Sequence, residues 1–420
     1  MDDVPKAIAR IRDCVQKLSA GIGLEEVVIV VRVVGQSEQR AYVAYSPDLT
    51  QPFASDLGAT LLDDTTLAGW NNLIHTVFRL CPETRVVIRA KSAYSQAVAQ
   101  QYRHIPPVLD DMAQIIGVHA RVIDSADESR LKKALANGGA CLLKGGRQGV
   151  GSIAAASSFP HAEAAALVLE KTARVFWDAQ VLGGAQSVNP IEAWLMHLVF
   201  KMKYSQMEFK ATHRSEKDFA RRIPEDEMAI RQDIVDAGLR MLDKNLVQGT
   251  WGNISVQLDD QFMLVTPSGM EYDRLSPYDI VRVDMHSLEY EGNLKPTSEK
   301  RIHAELLKKK ADVRSVIHTH PVSGSVFAAA RKPVLAPDQA SKKLLGEDAA
   351  VARYGLPGSK RLAKAVLEAI GENRACIMEN HGTLACGTSL DDALGKCEAL
   401  EQLAESQIRT LLPINNESLS

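Results

Sequence analysis

One order of helical and strand-like runs occurs twice along this chain, and that repeat constrains the fold more than any other feature of the sequence. In the first half, a helix is predicted over residues 1–20, with apolar positions at Ile8, Ile11, Val15 and Leu18. Strand-like runs follow at Val27–Val34 and Ala41–Tyr45 around a Gly-Gln-Ser turn, then a helix over 66–80 and a strand at Val86–Ile88. A helical stretch near 108–117, a helix from Ser129, a strand at Ala140–Leu143 and an Ala-rich helix over 160–182 complete the set. After Pro224 a similar order returns: helix Asp226–Lys244, strands around Gly252–Leu258 and Gln261–Thr266, helix Ser298–Lys310, strand Val313–Thr319, helix 359–370, strand Ala375–Met378 and helix Leu390–Leu411. Residues match as well as elements. His75 and His303 open comparable helices ahead of comparable strands, and Gly139-Ala-Cys-Leu-Leu-Lys echoes Arg374-Ala-Cys-Ile-Met-Glu. The chain is expected to be two diverged copies of one α/β domain, joined through the mixed-charge segment Lys210–Arg222.

Composition narrows the partners. With 45% hydrophobic residues in 420, there is apolar side chain for two cores, and 49 Lys+Arg against 52 Asp+Glu leaves a net charge of −3. No basic block beyond Lys308–Lys310 offers a nucleic-acid footprint, so no nucleic-acid partner is expected. No stretch approaches the roughly 18 apolar residues of a membrane span, and the first residues have neither the basic start nor the apolar middle of a signal peptide. A cytoplasmic protein without a membrane partner is the expectation. The six cysteines include no C-x-x-C pair and sit in apolar context, which reads as buried free thiols.

The chemistry-bearing residues lie in the second half. His318 and His320 are two apart at the end of the run Val313–Ile317, so on a strand both imidazoles share one face. The pair alone is as consistent with hydrogen-bonded structural histidines as with metal ligands. His381 adds a third imidazole after the short apolar strand Cys376–Met378, with Gly382 behind it to permit a sharp turn. Three imidazoles with an open fourth position form a catalytic zinc pattern. Glu299 closes Lys295-Pro-Thr-Ser-Glu299 at the start of a helix, where a carboxylate is by default a partner of the helix dipole. The same turn offers the Thr297 and Ser298 hydroxyls and free amides, the groups that bind phosphate. Two small-residue turns, Gln248-Gly-Thr250-Trp-Gly252-Asn253-Ile-Ser255 and Thr266-Pro-Ser268-Gly269, can join it.

Taken in order, Gly-Thr-Trp-Gly-Asn-Ile-Ser, Thr-Pro-Ser-Gly, Pro-Thr-Ser-Glu, His-Thr-His-Pro and Asn-His-Gly make residues 226–412 resemble the class II aldolase and adducin family. The resemblance implies two tandem three-layer α/β/α domains, each around a mainly antiparallel sheet. It implies a divalent ion, zinc or else manganese or cobalt, on His318, His320 and His381, with Glu299 as the acid/base. It further implies a substrate phosphate among Thr250, Asn253, Ser268, Gly269, Thr297 and Ser298. A divalent ion and a carboxylate at a hydroxy-carbonyl substrate suit enediolate chemistry, which serves aldol cleavage, epimerisation and decarboxylation alike. One departure stands out: family aldolases carry a tyrosine after the His-x-His strand, whereas this chain has Pro333-Val-Leu-Ala-Pro-Asp338, leaving Asp338 or Tyr354 as substitutes.

The first half resembles the same family through Ile105–Gly117 and Leu167–Ala173, but Arg89 and Lys91 stand where His318 and His320 would be, Gly145 for His381 and Asn71 for Glu299. Residues 1–215 are therefore expected to be a degenerate copy without metal, which supports residues 226–413 or offers Arg89 and Lys91 to an anion. The expected activity is that of a metal-dependent lyase of the aldolase type on a small phosphorylated hydroxy-carbonyl or sugar substrate. The alternatives are an adducin-like binding module, or an epimerase or decarboxylase. A homodimer forming a pseudo-fourfold ring, or a homotetramer, is the expected assembly.

Overall fold

The computed structural model describes residues 4–22, 24–34, 40–46, 59–136, 138–145, 150–203 and 222–412. The chain divides into two compact units. The first runs up to Trp177 and takes in the helix Pro190–Lys203, and the second comprises Asp178–Gln186 with the described residues from 222 onward. Most of the expected segment Lys210–Arg222 and the Gly-Gln-Ser turn lie outside the described residues.

Each unit is built on one eight-stranded sheet. In the first these are β1 Leu24–Val34, β2 Arg40–Tyr45, β3 Ala59–Leu62, β4 Val86–Ser92, β5 His104–Ile105, β6 Ala120–Asp124, β7 Ala140–Lys144 and β8 Gly151–Ala156. In the second they are β9 Asn253–Gln257, β10 Phe262–Val265, β11 Val281–Asp284, β12 Ser315–Thr319, β13 Val334–Leu335, β14 Asp348–Ala352, β15 Ala375–Met378 and β16 Gly382–Gly387. The strand orders are β3-β2-β1-β4-β8-β7-β6-β5 and β11-β10-β9-β12-β16-β15-β14-β13, the same path traced twice. Each sheet is antiparallel except for one parallel pair, β6 with β7 and β14 with β15. The fold is α/β with two mixed sheets.

In the second unit, β12, β15 and β16 are buried at every position, as strands covered on both faces must be. One face carries Val316, Cys376, Met378, Leu384 and Cys386 against the helices Lys300–Lys309 and Lys360–Ile370. The alternate residues face the opposite way: Thr319 lies by Cys397 of helix Leu390–Leu411, and Thr383 by Gly324 of helix Val322–Ala330. The first unit repeats this plan. Val28, Val30, Val87, Cys141 and Ile153 pack with the helices Asp64–Trp70, Asn72–Leu80 and Glu128–Leu135, while Ser92 and Ser152 turn to Glu170 on helix Phe159–Asp178.

The ladders give the correspondence between the units residue by residue. Ile88 pairs with Ile29 and Ala154, and Ile317 pairs with Ile254 and Ala385. Arg89 thus matches His318, Lys91 matches His320, Val28 matches Asn253 and Val30 matches Ser255. Ala140 and Ala375 each face the equivalent β8 and β16 alanine, which aligns Gly145 with Asn380. Both have left-handed backbones, at φ +89° and +57°. The reading of Gly145 as the counterpart of His381 is therefore one residue short. That place belongs to Gly146, which is outside the described residues and also offers no side chain. The expected helix over 66–80 is two helices, parted at Asn71, whose side chain accepts from the Ile74 amide and caps the second. All six cysteines are buried and free. Among the described residues no helix is long and apolar enough to cross a membrane.

Candidate metal centre and active site

Three neighbouring structural features bring the site together. His318 lies on strand β12 and His320 just past its end at Thr319, the turn after β15 carries His381, and Glu299 is the N-cap of helix Lys300–Lys309. The ring centroids are 4.5, 4.8 and 5.0 Å apart, and one nitrogen from each ring lies within 4.8 Å of the others. All four residues are buried. His318 donates from Nδ1 to the Thr383 carbonyl at 2.7 Å, which fixes the tautomer and leaves Nε2 to present a lone pair. That Nε2 lies 3.3 Å from Glu299 Oε2, and His381 Nε2 lies 3.1 Å from Glu299 Oε1. Three buried imidazoles converging on one point beside a carboxylate form a donor set that fits a divalent ion.

Electrostatics keep the carboxylate charged. Burial works to raise the Glu299 carboxyl, but His318 and His381, with bonds from His381 and Asn253, outweigh it and hold it well below the ordinary carboxylate range. The Asn253 amide donates to Glu299 Oε2 at 3.0 Å. Behind Asn253 stands His303, buried within the helix that Glu299 caps, with its Nε2 on Asn253 Oδ1 and its Nδ1 2.7 Å from the Ser255 hydroxyl. Burial pushes the His303 imidazole down to about 4, against smaller opposing and assisting effects of Glu299 and His318.

Gly382 has a different reason from the expected turn. The left-handed residue is Asn380, whereas a Cβ at Gly382 would fall 2.4 Å from the Thr319 carbonyl and 3.0 Å from His318 Cε1. Glycine is required because two strands approach too closely for anything larger. Gly252 is constrained twice over: its φ is +84°, and a Cβ there would fall 2.8 Å from the His318 carbonyl.

The small-residue turns are partly assembled. Pro267 and Pro296 form a bridge, with Ser268 N bonded to Lys295 O at 2.9 Å and Thr297 N to Thr266 O at 3.1 Å, so Thr-Pro-Ser-Gly lies against Pro-Thr-Ser-Glu. Gly269 has open space where a side chain would project, and Ser298 is exposed. Thr297 is buried and its hydroxyl accepts from the Glu299 amide at 3.3 Å. Thr250 lies on the half-buried approach to β9. Asn253 differs from this group, since its carbonyl and amino groups already serve His303 and Glu299. Asp338 caps its own helix Gln339–Leu345 by accepting from the Ser341 amide, and Tyr354 is buried with its backbone N–H on Glu379.

His303 and Ser255 were not among the expected site residues. A signal for them exists: Asn253 and Ser255 are two apart on a strand, and Glu299 and His303 four apart on a helix, so each pair shares a face. In the first unit the corresponding cations are taken up internally. Arg89 bonds Glu26 at 2.6 Å, and Lys91 lies 3.7 Å from Glu25.

Known proteins resemble the second half of the chain. Residues 232–408 match the family model described as the Class II Aldolase and Adducin N-terminal domain. A 5-methylthioribulose-1-phosphate/5-deoxyribulose-1-phosphate aldolase of Rhodospirillum rubrum is 34% identical over 189 residues, 45% of this chain and 85% of the relative. An Escherichia coli L-fuculose phosphate aldolase is 32% identical over 182 residues, 43% of this chain and 84% of the relative. Among solved structures, an L-fuculose 1-phosphate aldolase has 29% identity and a TM-score of 0.42, covering 47% of this chain and 95% of its own. The chain belongs to the class II aldolase and adducin family.

Proposed function

We propose that residues 226–413 form a divalent-metal-dependent lyase of the aldolase type, which makes and breaks a carbon–carbon bond in a small sugar phosphate. The observation that carries this reading is the convergence of His318, His320 and His381 on the Glu299 carboxylate. The three imidazoles would hold the ion, with zinc the best match to an all-nitrogen set and manganese or cobalt the alternatives. When bound, the ion polarises the substrate carbonyl and stabilises negative charge at the adjacent oxygen. Glu299 takes or returns the proton at the reacting carbon, and Asn253 keeps one carboxylate oxygen turned away from that task. Thr250, Ser268, Gly269, Thr297 and Ser298 are proposed to receive the substrate phosphate, supported by the bridged turns and the open space at Gly269, whereas Asn253, expected among them, has both ends of its side-chain amide engaged by His303 and Glu299. The two relatives named above are phosphosugar aldolases by name, which favours aldol chemistry over epimerisation or decarboxylation.

Residues 1–215 are proposed to be a copy of the same domain without metal chemistry. Its Arg89 and Lys91 already face Glu26 and Glu25, which favours a supporting role over anion binding. The assembly proposed is a homodimer forming a pseudo-fourfold ring, or a homotetramer. A monomer mass by light scattering would count against it.

The test is elemental analysis after zinc add-back and desalting, followed by a screen of five- and six-carbon ketose phosphates. About one zinc per chain, lost in His318→Ala/His320→Ala, together with aldol cleavage of at least one ketose phosphate, is the expected result. No bound metal would move the chain to the adducin-like binding class, and two ions per chain would overturn the assignment of the first unit.

A further inference from the structure

Joined to Glu299 through Asn253, three side chains form a single line. Ser255 Oγ is 2.7 Å from His303 Nδ1, His303 Nε2 meets Asn253 Oδ1, and Asn253 Nδ2 is 3.0 Å from Glu299 Oε2. The direction of the line is set at its far end. A charged carboxylate only accepts, so Asn253 turns its amino group to Glu299 and its carbonyl to His303. His303 then carries its proton on Nε2, and the Ser255 hydroxyl donates to Nδ1. Flipping the Asn253 amide would bring two acceptors face to face at Glu299, and moving the imidazole proton to Nδ1 would do the same between His303 Nε2 and Asn253 Oδ1. Asn253, Ser255, Glu299 and His303 are each 5% exposed or less, so no water competes for these bonds on equal terms.

The first unit supplies an internal control. The same ladder positions there hold Val28 for Asn253 and Val30 for Ser255, and Asn71 caps the helix in place of Glu299. His75 occupies the His303 position, but its Nε2 is 3.5 Å from Asp64 instead of reaching into the sheet. The same strand path is therefore built with two valines, and the fold does not need the line. It is present where the carboxylate and the three imidazoles are present and absent where they are absent.

We infer that Ser255 and His303 act through Asn253 as a positioning relay, which locks the amide orientation and so holds the Glu299 carboxylate in the attitude required for proton transfer. This rests on the proposed lyase reading for its use, and on the hydrogen-bond geometry for its existence. Two measurements separate them. Histidine side-chain nitrogen NMR on the full chain, with the His303 signals identified by their loss in His303→Gln, should give the Nε2–H tautomer. The Nδ1–H tautomer would overturn the relay whether or not any substrate is turned over. In the zinc-loaded chain, with the best ketose phosphate from the screen, His303→Leu should lower kcat roughly 10- to 100-fold, with KM changed less than about threefold. Zinc per chain should stay at the wild-type value. His303→Gln, which can keep both a donor and an acceptor in line, should recover to within about fivefold of wild type. Ser255→Ala should fall in the same direction by a smaller factor and serves as the probe where His303→Leu does not fold. Equal losses in the Leu and Gln variants, or a loss shared equally between kcat and KM, would show a structural histidine and overturn the proposal. A wild-type chain that holds zinc yet cleaves no ketose phosphate would sink the lyase reading alone, leaving the tautomer to decide the relay.

Discussion

At the scale of single residues, the second unit concentrates titratable groups in a dry place, and stability must follow pH accordingly. His303 is held down to about 4 in the folded chain, against an ordinary histidine value near 6.5 when unfolded. The unfolded chain therefore binds the extra proton first. The stability this neutral imidazole contributes is complete above about pH 6.5 and is lost as pH falls toward 4, by an amount on the order of 3 kcal/mol. Urea unfolding of wild type and His303→Gln between pH 7 and 4 should show a steeper decline for wild type, and parallel curves would refute the assignment. Glycine makes a second case. Gly382→Ala should cost about 3 kcal/mol and weaken zinc binding, because the new methyl group would collide with the Thr319 carbonyl and crowd His318. Gly151→Ala in the first unit meets the Ala90 carbonyl at the same 2.4 Å. It should cost as much stability while leaving zinc affinity untouched, as chelator competition would reveal. The sequence named His318, His320, His381 and Glu299 because two-residue strand spacing and a helix start are visible in a string. It passed over His303, whose four-residue spacing from Glu299 acquires meaning only once Asn253 is known to lie across from His318.

Among the elements, the amphipathic helices were legible, and so were the fully buried strands β12 and β15 as short apolar runs, but helix Val322–Ala330 and strand β16 were not. Helices Lys300–Lys309 and Lys360–Ile370 have one apolar stripe each and were found within two residues of their ends. Helix Val322–Ala330 is buried at all nine positions, so it has no polar face to set a period. Strand β16, Gly-Thr-Leu-Ala-Cys-Gly, is buried throughout and shows no alternation, and two-residue strands such as β13 carry no pattern at all. That buried helix nonetheless begins two residues after His320, and its first turn is held by Glu401, which accepts from the Ser323 and Gly324 amides at 2.8 and 2.7 Å. Loss of this cap should loosen the end of the metal strand. Glu401→Ala is expected to destabilise the chain by about 1–3 kcal/mol and to reduce zinc affinity measurably. Unchanged affinity in a destabilised variant would confine the cap to folding.

For the whole molecule, two units with one proposed metal site should respond unequally to zinc. Differential scanning calorimetry of the full chain is expected to resolve two transitions, of which zinc raises one, by about 4 kcal/mol of stabilisation at free metal near 1,000 times Kd. His318→Ala/His320→Ala should abolish that rise, and a shift of both transitions would mean that the first unit binds metal after all. The internal repeat was readable because element order survives substitution, but the exact correspondence needed ladder register, which moved the counterpart of His381 from Gly145 to Gly146. The ion pair between Arg89 and Glu26 also bears on reversibility. A guanidinium now answers a carboxylate where an imidazole would have to sit, so Arg89→His alone would strand Glu26 without its partner while Val28, Asn71, Lys91 and Gly146 still lacked ligand or relay chemistry. No single replacement on that path yields a working centre, and each early one costs stability. On the proposed reading the first unit is held away from metal chemistry as by a ratchet, and an engineer who wants a second metal centre in this chain must change the whole constellation at once.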